Sequence, residues 1–328
     1  MQQSRSVFFA LMASLLSIPA VAQSSEKGEL LLPRYGPSAV TDSKWIYAYG
    51  GSPHGGRNGD DFMHQALHAS MERINPTILK SEYSSSGLHR RANHASVLVE
   101  NKFVTYAGRS QVGLSRPKLH SCEYLDPRTG IFRELPPLPE AVRTQGLVEV
   151  EGDLYAIGGV IQRPLHSASA YRLTKNGVKW ERQADTTQAF SGQAIAVGRK
   201  IYLLGGYNDQ AMNLVMVFDT KTLQWQNMKY LPDPLGAYSA LADSRFIQLF
   251  SDYVQMNTIH RYDTETGDLY PVSQKIVPRR HTAAGIVDSS ATMIGGNQSS
   301  SGNALTTIEV FELADLQSGR QKVSYLTN

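Results

Sequence analysis

Cysteine is nearly absent from this chain of 328 residues, which contains Cys122 and no other. A single thiol excludes an internal disulfide framework and a cysteine-rich zinc site, so packing must stabilise the fold. Charge of one sign is also lacking, because 32 Lys and Arg against 29 Asp and Glu leave a formal net charge of +3. Since no basic stripe is present, we predict no nucleic-acid partner.

Long apolar runs are lacking except near the N-terminus, where residues 7–18 form a mainly apolar stretch. That stretch is too short to span a bilayer. Arg5 precedes it and the small-residue segment 20–22 follows it, which is typical of a secretory signal peptide. We therefore predict a signal peptide over residues 1–22, a single mature domain over residues 23–328, a periplasmic or secreted location, and no membrane span.

A short apolar strand that ends in a glycine pair recurs along the chain. Its clearest copy is Ile201-Tyr202-Leu203-Leu204-Gly205-Gly206. Counting the first glycine or its equivalent, the copies fall at positions 50, 107, 158, 205, 250 and 295. The copy at 107 keeps one glycine of the pair, and the copy at 250 has neither. Self-similarity near 50 residues in a strand-rich chain indicates sheets repeated around a ring.

Each repeat contains four candidate strands. The first is rich in small residues, the second ends in the glycine pair, and the third ends in an aromatic residue and an aspartate, as in Phe218-Asp219 and Tyr262-Asp263. The fourth carries a large apolar side chain such as Trp180 or Trp225, which would fill the widening gap between neighbouring sheets. We therefore predict an all-β fold, a six-bladed β-propeller of four-stranded antiparallel blades.

The glycine pair, the aromatic-aspartate pair, the following tryptophan and an arginine ahead of the next repeat resemble the kelch repeat. The resemblance covers nearly all of the mature chain and implies a closed ring of six blades. The sixth blade has its third strand at 306–313 and needs a fourth from one end of the chain. Residues 321–326 and residues 28–32 are the two candidates, and we favour the C-terminal segment.

The loops that open the blades share one face with the links that follow the glycine pairs, and propellers bind ligands on such loops around the central funnel. The first glycine of each pair, or its equivalent, marks a blade, and counting back 15 or 16 residues from each marker gives one recurrent position in these loops. Its six members are Arg34, Arg91, Arg143, Phe190, Leu235 and Arg280, and four of them are arginines. Guanidinium groups at the funnel mouth would suit a carboxylate, sulfate or phosphate. The alternative is that each arginine binds carbonyls of an adjacent blade and is structural.

Aromatic and imidazole side chains near the same loops are Tyr35, His94, Phe190, Tyr238 and His281. They would stack on a sugar or a peptide, and the alternative is that each one only packs in the core. The longest connection between a second and a third strand, residues 52–65 of blade 1, would form either a lid over the funnel or a solvated loop. His64 and His68 are four residues apart, but Gln65 stands where a zinc-peptidase motif needs glutamate. We predict no metal site and no cofactor.

The sequence leaves three functions open. The first is an exported binding protein whose arginine-lined funnel holds an anionic small molecule, an acidic sugar in particular. The second rests on a resemblance in architecture to bacterial exported kelch proteins such as the N-acetylneuraminate epimerases (sialic-acid mutarotases), and it implies an acid and a base for opening a sugar hemiacetal. The candidates for those roles are His94, His281, Glu140 and Asp60. The third is a scaffold in the cell envelope that binds a protein partner.

Overall fold

Six antiparallel sheets form the fold in a computed structural model. The structure describes residues 26–54, 67–85, 89–100, 102–106, 108, 118–126, 129, 131–143, 146–162, 164–299 and 302–317. The predicted all-β class and the predicted six four-stranded blades are confirmed.

The first three blades follow one another along the chain. Blade 1 contains β2 (Ser38–Thr41), β3 (Ile46–Tyr49), β4 (Met71–Asn75) and β5 (Lys80–Ser85). Blade 2 contains β6 (Ala95–Val99), β7 (Lys102–Tyr106), β8 (Cys122–Leu125) and β9 (Phe132–Leu135). Blade 3 contains β10 (Gly146–Val150), β11 (Asp153–Ile157), β14 (Ala170–Leu173) and β15 (Glu181–Arg182), with a small hairpin of β12 (Val160–Gln162) and β13 (Leu165–His166) in its second link.

The other three blades complete the ring. Blade 4 contains β16 (Ile195–Val197), β17 (Lys200–Leu204), β19 (Gln210–Asp219) and β20 (Gln224–Leu235), and β18 (Tyr207–Asn208) pairs with the start of β19. Blade 5 contains β21 (Ser239–Asp243), β22 (Phe246–Phe250), β23 (Ile259–Asp263) and β24 (Leu269–Val272). Blade 6 contains β25 (Ala283–Val287), β26 (Ser290–Ile294), β27 (Thr307–Glu312) and β1 (Glu26–Glu29), and a 3-10 helix (Asp315–Gln317) follows β27.

The ring closes through the N-terminal strand, so the prediction that residues 321–326 close it was wrong. β1 pairs antiparallel with β27, with Glu26 opposite Val310 and Glu29 opposite Thr307. The chain then runs directly into blade 1, and the Leu30 amide donates to the Thr306 carbonyl at 2.7 Å. Because β1 is the outer edge of its sheet, Lys27 and Glu29 remain exposed, and the strand lacks the apolar pattern that would have marked it in the sequence.

Apolar clusters fill the gaps between neighbouring blades. Residues of blades 4 and 5, for example, form one cluster around Tyr202, Leu204, Ile247 and Tyr262. Trp180, at the start of the outer strand of blade 3, is buried and donates through its indole Nε1 to the Pro136 carbonyl at 2.8 Å. The outer aromatic side chains therefore fill the space between blades and also tie the blades together.

The glycine pairs connect each second strand to the next blade. In four blades both glycines of the pair have positive φ, and the second glycine donates its amide to the residue that opens the next blade. Gly51 donates to the Arg91 carbonyl at 2.9 Å, and Gly296 donates to the Arg34 carbonyl at 2.8 Å across the closure. In blade 5 the equivalent of the first glycine is Ser251, with a φ of 57°, one residue beyond the marker at position 250.

Candidate functional site

Three buried arginines occupy equivalent places in adjacent blades and pair with glutamates of the third strands. Arg34 donates to Glu72 through Nε at 3.0 Å and through Nη2 at 2.8 Å. Arg91 lies 2.9 Å from Glu123, and Arg279 pairs with Glu309. All six side chains are buried. Burial lowers the pKa of Arg34 and of Arg279, and the paired glutamate opposes that shift in each case.

This inner position is apolar in the other three blades. Val142, Phe190 and Leu235 occupy it, and all three are buried. Phe190 packs against the glycine pairs of blades 3 and 4. The structure therefore places Arg34, Arg91 and Phe190 between blades. The sequence prediction had put them at the funnel surface. Arg279, which the sequence prediction missed, is the third member of the arginine series.

The next residue along the chain lies at the funnel mouth, because successive residues of an extended segment point to opposite sides. Four of these residues form an isolated antiparallel β-bridge with the residue that follows a glycine pair. The bridges are Tyr35 with Ser52, Arg143 with Val160, Ser191 with Tyr207 and Arg280 with Asn297. Arg143 and Arg280, which were predicted together with Arg34 and Arg91, belong to this second series. Both are half-buried.

A central cavity of about 200 Å³ opens at this mouth. Residues from every blade line it, among them Tyr35, His94, Arg143, Tyr207, Tyr253 and His281. Its wall also includes small and polar residues of the first strands, such as Ser38 and Ser96, as the composition of those strands predicted. A concave site with a few polar groups is the usual form of a small-ligand site.

Five rings follow one another beside the mouth, and we call them the aromatic arc: His166, Tyr207, Tyr253, His281 and Tyr35. The last four line the cavity, whereas His166 is buried next to Tyr207. Neighbouring ring centroids are 5.8, 6.0, 5.4 and 4.9 Å apart. The Tyr253 hydroxyl lies 3.1 Å from His281 Nε2, within hydrogen-bonding distance. His281 itself has a left-handed backbone with a φ of 55°, and Gly36, Asn93 and Ala237 at the openings of blades 1, 2 and 5 share this conformation.

Arg280 lies over the aromatic arc, with its Cζ 5.0 Å from the centroid of the Tyr253 ring. Among the ion pairs of the described residues, none involves Arg280. Its Nε is buried and has no hydrogen-bond partner within the described part of the chain. Beside the cavity lining, Arg280 is thus a cation that lies over an aromatic ring and forms no ion pair with an acid among the described residues.

His94 lies deeper in the cavity wall, between blades 1 and 2. It is buried, its Nε2 is 2.7 Å from Ser38 Oγ, and its ring packs edge-on against Tyr49. Burial lowers the pKa of His94 well below 6.5, and the positive charges of Arg91 and Arg34 lower it further. His94 is therefore a neutral imidazole at physiological pH.

The remaining predicted site residues do not gather at the mouth. Tyr238 lines the cavity, but it is buried and its hydroxyl donates to the Leu204 carbonyl at 2.7 Å. Glu140 accepts hydrogen bonds from Ser167, Ser169 and Tyr171. Burial would raise the pKa of Glu140, yet these hydrogen bonds outweigh it and lower the pKa, so the carboxylate is unsuited to act as an acid. Asp60 lies outside the described residues.

The remaining sequence predictions concern the cysteine, a membrane span and two segments of the chain. Cys122 is a buried free thiol between blades 2 and 3. Within the described ranges, no helix is long and apolar enough to cross a membrane. The signal peptide predicted over residues 1–22, His64 and most of the 52–65 link fall outside those ranges. Tyr207 and Tyr253 are mouth residues that the sequence prediction missed, although both follow the end of a second strand and so lie on the predicted face.

The neutral state of His94 gives a testable pH dependence. The unfolded chain binds a proton at this residue below about pH 6.5, whereas the folded protein does not until a much lower pH. We therefore expect the free energy of unfolding to fall as the pH drops below about 6.5, by about 1.4 kcal/mol per pH unit for this one group.

Urea unfolding at pH 7.5 and pH 5.0, with the wild type and a His94→Gln variant, measures that contribution. Burial also lowers the pKa of His68 and of His260, and both residues are present in the variant, so the difference between the two proteins isolates His94. Equal pH dependence in both proteins would contradict a buried neutral His94.

Comparisons with known proteins agree with the architecture. A model described as "Kelch motif" matches residues 193–232, which form most of blade 4. Kelch-like protein 25 of Xenopus tropicalis is 24% identical over 251 residues, which cover 72% of this chain and 40% of that protein. Kelch-like protein 35 of Mus musculus is 26% identical over 152 residues, which cover 46% of this chain and 25% of that protein. The chain thus spans less than half the length of these curated relatives.

A solved structure is similar over most of the chain. The structure of YjhT superimposes with a TM-score of 0.70 and 12% identity, covering 87% of this chain and 99% of that chain. At such low identity the likeness concerns the fold alone. Six four-stranded blades, four of them with a glycine pair, and the kelch motif matched in blade 4 establish this chain as a kelch-repeat β-propeller.

Proposed function

We propose that the funnel mouth binds an anionic small molecule, an acidic sugar in particular. The observation that carries this proposal is Arg280, a guanidinium that lies over Tyr253, a residue of the cavity lining, and forms no ion pair among the described residues. A guanidinium at a partly desolvated site binds a carboxylate through short, charge-assisted hydrogen bonds. Arg143, on the cavity wall, supplies a second positive charge.

The aromatic arc supports a ring-shaped ligand. Its rings lie 4.9 to 6.0 Å from their neighbours around one side of the mouth. The apolar faces of such rings contact the C–H groups of a sugar, while the arginines hold its acidic group. With the signal peptide predicted over residues 1–22, such a site would meet its ligand outside the cytoplasm.

Isothermal titration with N-acetylneuraminate and glucuronate tests the proposal. Replacing Arg280 or Arg143 by Gln removes one charge at the mouth and should weaken binding about tenfold or more, the usual cost of losing a charge-assisted hydrogen bond. Arg199→Gln removes the same charge from the turn between β16 and β17, at the opposite end of the blade, and should leave binding unchanged.

Glucuronamide, which lacks the charge, supplies the ligand control and should bind much more weakly than glucuronate. No detectable binding of either acid to the wild type, or equal binding to all the variants, would contradict an anion site at the mouth.

A sugar mutarotase is the second candidate, and the hydrogen-bonding distance between Tyr253 and His281 favours it. Opening a hemiacetal requires one group that takes the proton of the anomeric hydroxyl and another that protonates the ring oxygen. A phenol and an imidazole 3.1 Å apart at a sugar-sized mouth are suited to those two tasks.

Anomer exchange of N-acetylneuraminate, followed by NMR, measures this activity. We expect exchange faster than in buffer alone, and Tyr253→Phe or His281→Asn should lower the enzyme-dependent rate about a hundredfold, as the loss of one general acid or base does. A wild-type rate equal to that of buffer would remove the mutarotase and leave the binding protein.

A protein partner is the third candidate, since kelch propellers commonly bind proteins. Exposed apolar side chains on the outer strand β20 favour it: Tyr230 is 63% exposed and Met228 is 41% exposed. Envelope proteins captured by the wild type but not by a Tyr230→Ser/Met228→Ser variant would support this role. Titration of glucuronate into the same variant should show unchanged binding, which separates the edge of blade 4 from the mouth.

A further inference from the structure

The side chain of Gln193 connects blade 4 to blade 5 in the wall of the central cavity. Its Nε2 donates to the Ala240 carbonyl at 3.0 Å, and its Oε1 accepts the Ala240 amide at 2.7 Å. Ala240 is a buried residue of β21, the first strand of blade 5. The Gln193 amide therefore pairs with the backbone of β21 as a neighbouring strand would.

These two bonds fix the orientation of the amide. A backbone carbonyl only accepts and a backbone N–H only donates, so Nε2 must face the first and Oε1 the second. A flipped amide would set donor against donor and acceptor against acceptor. Because the protein already holds this polar group in place, little conformational freedom is lost when the group binds a ligand.

Half of the hydrogen-bonding capacity of this amide remains unused. A glutamine amide has two N–H donors and two carbonyl lone pairs, and Ala240 takes one of each. Gln193 forms no other hydrogen bond among the described residues, and it is exposed in the cavity lining. One N–H and one lone pair are therefore within reach of a molecule that enters the cavity.

This spare donor and acceptor suit a hydroxyl group. A hydroxyl both accepts from an N–H and donates to a carbonyl oxygen, whereas a carboxylate only accepts and is repelled by the lone pair. An apolar group would leave the N–H and the lone pair unpaired, which costs free energy where the ligand displaces water. The Gln193 amide is thus matched to the neutral, hydroxyl-bearing part of a ligand.

We propose that Gln193 binds hydroxyl groups of the bound acid, so that the cavity selects polyhydroxylated ring acids over apolar ring acids of the same charge. The inference rests on the proposed function, because it takes the acidic group to be held by Arg143 and Arg280. The arginines recognise charge, and the glutamine recognises hydroxyls. The ligand is then fixed at two points.

Titration with glucuronate and with cyclohexanecarboxylate, a ring acid without hydroxyls, gives the ratio of two dissociation constants that tests this role. Gln193→Met keeps the length of the side chain and removes its hydrogen bonds. Gln183→Met is the matched control, because the Gln183 amide also binds backbone carbonyls but follows the outer strand β15 of blade 3. The wild type and Gln183→Met should prefer glucuronate, and Gln193→Met should lose about tenfold of that preference, the effect of one hydrogen bond.

A measurement on the wild type separates ligand contact from a merely structural bond to blade 5. The NMR resonance of the Gln193 amide proton that does not donate to Ala240 should move on addition of glucuronate and stay in place with cyclohexanecarboxylate. A structural role alone would weaken the binding of both acids to Gln193→Met by the same factor. An unchanged ratio, or a resonance that glucuronate does not move, with binding still dependent on Arg280, would overturn the hydroxyl subsite and leave the anion site standing. Absence of binding by both acids would overturn the anion site and the hydroxyl subsite together.

Discussion

Removing one partner of a buried arginine–glutamate pair should destabilise the ring at least as much as removing both. Arg279→Met leaves Glu309 buried without its cation, and Glu309→Met leaves Arg279 buried without its anion. Each single variant should lose about 3–5 kcal/mol of unfolding free energy, the usual cost of an uncompensated buried charge. The double variant should lose no more than the worse single variant, because no stranded charge remains.

Blade 4 provides the natural precedent for this expectation. Phe190 and Met216 occupy the same two places there, and both are buried in an apolar cluster. The double variant of blade 6 should still carry a cost, because the Val277 amide loses its carboxylate acceptor at 3.2 Å and the Gly295 and Thr307 carbonyls lose the guanidinium that donates to them at 3.2 and 3.0 Å. Double-mutant cycles from urea unfolding measure the coupling between the two residues.

A surface pair supplies the matched control. Arg199 and Glu151 connect blades 4 and 3 at 2.7 Å, with more than half of each side chain exposed. Replacing either by Met should cost no more than about 1 kcal/mol, because solvent screens the pair. Strictly additive losses at 279 and 309 would contradict the buried-pair interpretation.

The distinction between the two arginine series marks where sequence reasoning about the site failed. Arg279 and Arg280 are adjacent, and both lie near the counted distance from the glycine marker. One of them points between blades and the other lies at the mouth, since a shift of one residue in an extended segment reverses the side chain. Variation of the spacing between 15 and 16 residues was enough to mix the two series.

The repeat itself was predictable because equivalent positions in the blades have similar packing surroundings and therefore favour similar residues. Glycine pairs recur with the period of the blades, aromatic-aspartate turns follow the third strands of blades 4 and 5, and tryptophans mark the outer strands of blades 3 and 4. The structure places these features as predicted. The closing strand was not predictable in the same way. β1 lies at an edge, where exposed side chains carry no packing pattern, and its pairing with β27 depends on contact between the two ends of the described chain.

The aromatic arc is a third feature that could not be predicted from the sequence. Tyr207 and Tyr253 come from links of different length after the second strands of blades 4 and 5. Their neighbourhood exists only because the ring brings these links to one mouth. The sequence indicated the face on which such residues lie, but it held no signal for which of them would meet.

Alanine at Gly295 should be among the most costly single-methyl changes in this protein. Gly295 has a φ of 63°, and an added Cβ would lie 2.5 Å from the Arg34 carbonyl oxygen. That oxygen accepts the Gly296 amide at 2.8 Å across the closure between blades 6 and 1. The left-handed backbone costs a non-glycine residue about 1–2 kcal/mol, and displacing the hydrogen bond adds about 1 kcal/mol more. We therefore expect a total loss of about 3 kcal/mol of unfolding free energy.

Gly198→Ala is the control that separates the two causes. Gly198 has a similar φ of 57°, but no atom lies within 4 Å of the added Cβ, so this variant should pay the conformational cost alone. Urea unfolding of both variants should show a larger loss for Gly295→Ala by at least about 1 kcal/mol. Equal losses would mean that glycine is needed there only for its backbone conformation. A larger loss at Gly295 would mean that the glycine pair also keeps room for the next blade, and that the ring closes through this contact.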